Sequence, residues 1–174
     1  MAGTAPRNRT FLTASLSVAV AVLTAGCSDS SSSHATGSAS ASAGSTSAPG
    51  RIHVDVGDID LTITGAVAHL DRSGDGSLSM SVRNDDGVPE HLGMVATPDG
   101  GRGVLVGGKS SEGNGSLSTA GILLLSGTTV AFGGSGPRVQ LHHVHGITTR
   151  HTLPVALQFG VAGLVRFQAR VTSS

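Results

Sequence analysis

The sequence predicts an all-β domain, a sandwich of short strands. Three observations point that way. Apolar and polar residues alternate with a period of two along several stretches, so that one face of each is apolar. Gly, Asp, Asn and Pro interrupt those stretches at short intervals, as turns require. No segment carries an apolar stripe at helical spacing between capping residues. The roughly 120 residues from Arg51 to about Thr172 fit one sandwich, and a chain of 174 residues is long enough for one such domain, not two.

Ahead of the domain the chain reads as an address. Arg7 and Arg9 form a basic start, and Phe11 to Ala25 is an uncharged apolar stretch too short to span a membrane comfortably. Leu23-Thr24-Ala25-Gly26-Cys27 then resembles the lipobox of bacterial lipoproteins. The resemblance implies that residues 1–26 are a lipoprotein signal peptide and that the Cys27 thiol receives lipid, leaving the protein anchored on the extracytoplasmic face of the cell membrane. Thr24 stands where that pattern most often has Leu, three residues before the cysteine. The alternative is an ordinary secretory signal with a coincidental cysteine. Cys27 is the only cysteine, so no intramolecular disulfide forms. Loss of Arg7 and Arg9 from the eleven bases would leave nine against eleven acids, with no polybasic patch to hold anionic lipid. Anchoring then falls to several acyl chains, at about 0.8 kcal/mol per buried methylene.

Residues 27–50 follow as the lipidated cysteine and a Ser/Ala/Gly linker. The linker lacks the apolar surface needed to offset ordering entropy, so a flexible stalk is expected. The sandwich is expected over 51–174. Its strands are read at Ile52–Val56, Leu61–Leu70, Ser77–Arg83, Leu92–Ala96 and Val104–Val106, then at Ile122–Leu125, Thr128–Phe132, Val139–His145, Leu153–Phe159 and Val165–Val171. Asn84-Asp85-Asp86-Gly87 reads as a turn, and Gly107 to Gly115 as a mobile loop. That loop is no phosphate cradle, because Lys109 lacks the preceding glycine spacing and no helix follows.

Composition excludes several functions. Eleven bases balance eleven acids, and neither Trp nor Tyr occurs, so a nucleic-acid surface has neither its bulk charge nor its stacking platform. No Gly-x-Ser-x-Gly elbow places a nucleophile, and no enzyme is predicted. Asp55, Asp58 and Asp60 lack the spacing and terminal glutamate of a calcium loop and read as solvated turn acids.

The densest chemical feature is Leu141-His142-His143-Val144-His145, with His151 six residues on. On a strand His143 and His145 project to one face and His142 to the other. Two such imidazoles, completed by His151 or a neighbouring strand, suit copper or zinc. The bland reading is a polar strand end whose histidines are half exposed and bind nothing. His91 and Met94 pair an imidazole with a thioether, a combination that suits Cu(I), but residues three apart on a strand face opposite sides. Met80 and Met94 are expected in the core. A blue-copper centre needs a Cys thiolate and is excluded, since Cys27 is committed to lipid.

Two longer runs, Leu78-Ser79-Met80-Ser81-Val82-Arg83-Asn84 and His91-Leu92-Gly93-Met94-Val95-Ala96-Thr97-Pro98, resemble the periplasmic copper chaperone family PCu(A)C. Gly127-Thr128-Thr129-Val130, the Gly133-Gly134 pair and the closing Leu153-Pro154-Val155-Ala156-Leu157-Gln158-Phe159 continue the likeness, which covers about Asp60 to Val171. It implies a cupredoxin-like, immunoglobulin-like β-sandwich that holds Cu(I) with two His and two Met and passes it to a metal-receiving envelope protein. The ligands themselves do not carry over. Val106-Gly107 stands where the family has its first His, Arg138-Val139-Gln140 where it has His-x-Met, and no Met follows Met94. Either the copper site is lost, leaving a structural or protein-interaction lipoprotein, or His142, His143 and His145 supply a different one nearby.

Overall fold

The structure, a computed structural model, describes residues 46–109 and 113–173. The signal peptide, Cys27 and the linker up to residue 45 lie outside them.

Among the described residues twelve strands follow one another: β1 (Thr46–Ala48), β2 (Arg51–Val56), β3 (Ile59–Leu70), β4 (Gly76–Asn84), β5 (Glu90–Ala96), β6 (Arg102–Val106), β7 (Leu117–Ser118), β8 (Gly121–Leu124), β9 (Thr128–Phe132), β10 (Arg138–Leu141), β11 (Thr152–Phe159) and β12 (Leu164–Ser173). No α-helix occurs among the described residues, and none of their helices is long and apolar enough to cross a membrane. Seven strands close a hydrogen-bonded circuit in the order β3-β12-β11-β5-β6-β10-β4 and back to β3. The domain is thus all-β with a barrel-like sheet. Closure removes most of the unpaired edges that an open sheet exposes.

The two longest strands close the circuit by changing partners along their length. On one side β3 pairs antiparallel with β2 near Ile63 and parallel with β12 from Val67 onward. The change coincides with a register irregularity between Thr64 and Val67, where Gly65 takes φ +63°. A side chain there would be strained, and glycine is not. Strand β4 likewise pairs with β10 through Leu78 and with β9 through Met80 and Val82. The inward residues alternate as the sequence reading requires: Leu61, Ile63, Leu78, Val82, Leu153 and Leu157 are all essentially inaccessible. Each such side chain contributes about 1.5–3 kcal/mol relative to exposure.

Several boundaries differ from the expected ones. Thr46–Ala48, assigned to the stalk, pairs with Arg51–His53, so the sheet begins ahead of Arg51. Its turn at Pro49–Gly50 is fastened by the Gly50 amide to the Gln168 carbonyl at 2.7 Å. Leu117–Ser118 adds a two-residue strand inside a segment with no alternation to betray it. The largest difference is at Val139–His145. Strand β10 stops at Leu141, and His142 to His151 form a loop. There the amides leave the sheet: His143 N donates to Asp75 Oδ1 at 2.7 Å and Val144 N donates to the Gly74 carbonyl at 2.9 Å. Buried Val144 anchors this detour, and His143 takes a left-handed φ of +50°.

Candidate metal centre

Two of the positions where the family likeness implies ligands meet across the sheet. Arg138 on β10 is the register partner of Val106 on β6, and Gln140 that of Val104. None of the implied positions Val106, Arg138 and Gln140 holds an imidazole or a thioether. A guanidinium cannot donate a lone pair, and an amide oxygen is a poor partner for Cu(I). The adjoining rim is filled by the protein itself: a side chain on Gly107 would meet Leu117 Cβ at 2.9 Å, and Gly108 donates its amide to the Gly115 carbonyl at 3.1 Å.

The histidines predicted from sequence lie on the β10–β11 loop. Because His143 and His145 are not on a strand, the period-two argument for their sharing a face does not apply. Asp75, at the end of the β3–β4 turn, organises two of the four instead. Its Oδ1 lies 3.8 Å from His142 Nδ1 and 3.7 Å from His143 Nδ1. His145 and His151 take no part in that cluster. His151 has φ +54° and uses its backbone, donating to the Thr148 carbonyl and accepting from Val171. Among the described residues, no three His, Cys, Asp or Glu side chains are arranged to hold a metal ion. The His143 side chain is 81% exposed and that of His142 54%, so both imidazoles are free to reorient.

Asp75 is itself held by a local network. Asp71 Oδ1 accepts the amides of Ser73 at 2.8 Å and Asp75 at 3.0 Å, and the Ser73 hydroxyl at 2.6 Å. The Ser73 hydroxyl, followed by the Asp75 amide, holds the Asp71 carboxyl below the usual carboxylate range. Gly74 takes φ +82° and lies so close to Val144 that a Cβ would meet its carbonyl oxygen at 2.6 Å. Turn and loop are therefore fitted to one another through backbone. Sequence reasoning placed no function in Asp71–Gly76. The visible signal was its run of short polar residues and glycines, which pointed only to a turn.

The second candidate pair behaves differently from expectation. Leu92 and Val95 on β5 are both fully buried although three residues apart. The register explains this: β5 pairs Leu92 with Phe159 and Met94 with Gln158, so Gly93 is an extra residue. The alternation shifts by one, and His91 and Met94 both fall on the outward side, half-buried. Met80 is in the core as expected, whereas Met94 is not.

Asn84, which the sequence places in a turn, and Glu90, which it leaves without a role, are both fully buried. Asn84 donates its amide to the carbonyls of Val88 and Leu124 at 3.0 and 3.1 Å. Glu90, fully buried, accepts the amides of His91, Gly160, Val161 and Ala162. Both fasten loops to the sheet.

Solved structures share this architecture. The copper-bound PCuAC domain from PmoF2 is 21% identical, with a TM-score of 0.52, and the match covers 70% of this chain and 98% of that one. The apo PCuAC domain from PmoF1 is 20% identical, with a TM-score of 0.55 over 70% of this chain and 99% of that one. The apo PmoF2 domain gives 21% and 0.53 over 70% and 94%. The chain therefore has a diverged PCuAC-like fold. No protein-family model and no curated protein matches the sequence.

Proposed function

We propose that this is a lipid-anchored extracytoplasmic domain that handles copper as cargo, held once the exposed His142 and His143 imidazoles turn to meet one ion beside Asp75, apart from the positions where the family likeness implies ligands. The approach of one Asp75 oxygen to both imidazoles carries the reading, and the likeness to a copper-bound PCuAC domain supplies the context. Nitrogen and oxygen donors favour Cu(II) or Zn(II) over Cu(I). Exposed imidazoles that no second shell fixes bind weakly and exchange readily, which suits delivery to a metal-receiving envelope protein. The domain carries cargo and catalyses nothing.

The test is a titration of the full chain carrying Cys27→Ser with Cu(II), Zn(II) and Cu(I). Saturable Cu(II) or Zn(II) binding is expected, weakened at least tenfold by joint replacement of His142 and His143 with Ala. Cu(I) binding alone, lost in Met94→Leu, would move the copper to His91 and Met94. Binding of no metal would leave the second reading, a protein-interaction lipoprotein, which the Val106, Arg138 and Gln140 replacements favour.

A further inference from the structure

A trough runs over the outer face of β11 and β12. Its larger part, about 670 Å³, lies between the Ser47–Pro49 strap and the Thr97–Pro98 turn, with Pro154, Ala156 and Gln168 beneath. A second hollow of about 560 Å³ adjoins it, bounded by Thr148, Thr149, Thr152 and Arg170. Pro49, Arg150 and Gln168 line both, so the two are continuous.

Its chemistry is one-sided. Prolines and alanines make much of the surface, three arginines (Arg150, Arg166 and Arg170) stand along it, and among the described residues no Asp or Glu lines either part. The register accounts for this. Arg166, Gln168 and Arg170 alternate outward on β12 opposite Ala156, Pro154 and Thr152. Arg150 comes from the loop turn and is exposed. Among the described residues, neither Arg150 nor Arg170 is in an ion pair. The described acids are all elsewhere.

We propose that this trough binds an organic carboxylate with an apolar body, its head on Arg150 and its body over Pro49, Pro154 and Ala156. A guanidinium presents paired N–H donors that match a carboxylate in two-point contact. A volume of about 670 Å³ falls within the roughly 300–1,000 Å³ of small-molecule sites, which are mostly apolar with a few placed polar groups. The floor of the trough is the face of the paired strands β11 and β12, whose backbone groups are already satisfied, so side chains and not a strand ladder supply its contacts. The site stands independently of the metal reading.

The experiment follows backbone amide shifts of the full chain carrying Cys27→Ser as octanoate, octanol and acetate are added in turn. Octanoate is expected to shift Arg150, Ala156 and Gln168 saturably, with octanol and acetate at least tenfold weaker. Arg150→Gln should weaken octanoate about tenfold with the circular dichroism spectrum unchanged. Ala156→Glu, which places a like charge on the floor, should abolish binding. Equal response to octanol would reduce the trough to an apolar hollow, and equal response to acetate to a counter-ion surface; either overturns the proposal. So would octanoate binding that survives both variants.

Discussion

Glu90 accepts the Val161 amide on both of its carboxylate oxygens, at 3.0 and 2.8 Å. Gly160 and Ala162 donate to the same carboxylate at 2.8 and 2.7 Å. The β11–β12 turn is thus folded around the buried Glu90 carboxyl group at the start of β5. Glu90→Ala would leave these amides without their acceptor. With a buried donor left unsatisfied costing about 1–3 kcal/mol and several amides losing their acceptor, the expected loss is about 3 kcal/mol. Thermal unfolding should show Tm lower by roughly 10 °C. A change under 2 °C would mean that water replaces the carboxylate.

Gly121 and Gly134 separate steric fit from backbone strain. Gly121, at φ +118°, faces the Leu92 carbonyl so closely that any Cβ collides with backbone. Gly134, at φ +55°, has nothing within 4 Å. Gly134→Ala should cost about 1 kcal/mol, the strain of a left-handed residue alone. Gly121→Ala should prevent the β5–β8 pairing and leave little folded protein. Chemical denaturation of the first and soluble yield of the second check the pair.

Alternation made the sheet legible because inward and outward residues differ in kind along β4, β11 and β12. It failed where other forces set the backbone. Nothing in Val139–His145 shows that Asp75, more than sixty residues earlier, takes the His143 amide and turns the chain out of the sheet. Nothing in His91–Met94 shows that Gly93 is an extra residue, because that depends on the partner strand. Asn84 reads only as a turn residue, and nothing in the sequence marks Glu90, because the loops that they satisfy come from elsewhere in the chain. The absence of Met and His from Val106, Arg138 and Gln140 was legible. The meeting of Arg138 with Val106 was not, since register is a property of two strands.

The turn below the histidines should depend on acid. Because the Asp71 carboxyl is held below the usual range, its contribution is present above the unfolded Asp value of about 3.9 and is lost as pH falls through the lower folded value. Asp85, held down by its hydrogen bond from Arg83, behaves in the same direction. The Ser73 amide shift, which reports the Asp71 carboxylate, should therefore move only below the ordinary carboxylate range. Ser73→Ala should raise the midpoint. An unmoved midpoint would show that the hydroxyl contributes nothing.

Lipidation rests on Cys27, outside the described residues. Cys27→Ser should release the protein from the membrane fraction, and a fatty-acid analogue should label the native chain but not the variant. Labelling of neither would restore the ordinary secretory signal as the reading of residues 1–26.

The metal prediction turns on Asp75 rather than on the number of histidines. If Asp75 joins His142 and His143 on one ion, Asp75→Asn should weaken Cu(II) binding by tenfold or more. The substitution keeps the side-chain oxygen that receives the His143 amide, so the loop stays in place. His145→Ala and His151→Ala should change affinity less than threefold, because neither side chain belongs to the cluster. The Cu(II) electron paramagnetic resonance spectrum should show coupling to two imidazole nitrogens in the native chain and in both of those variants. Binding should also weaken in acid, since protonated imidazole has no lone pair to donate. If instead His145→Ala is the damaging change and Asp75→Asn is silent, the ion sits further along the loop. The Asp75 contacts would then be structural, serving to hold β10–β11 against the β3–β4 turn.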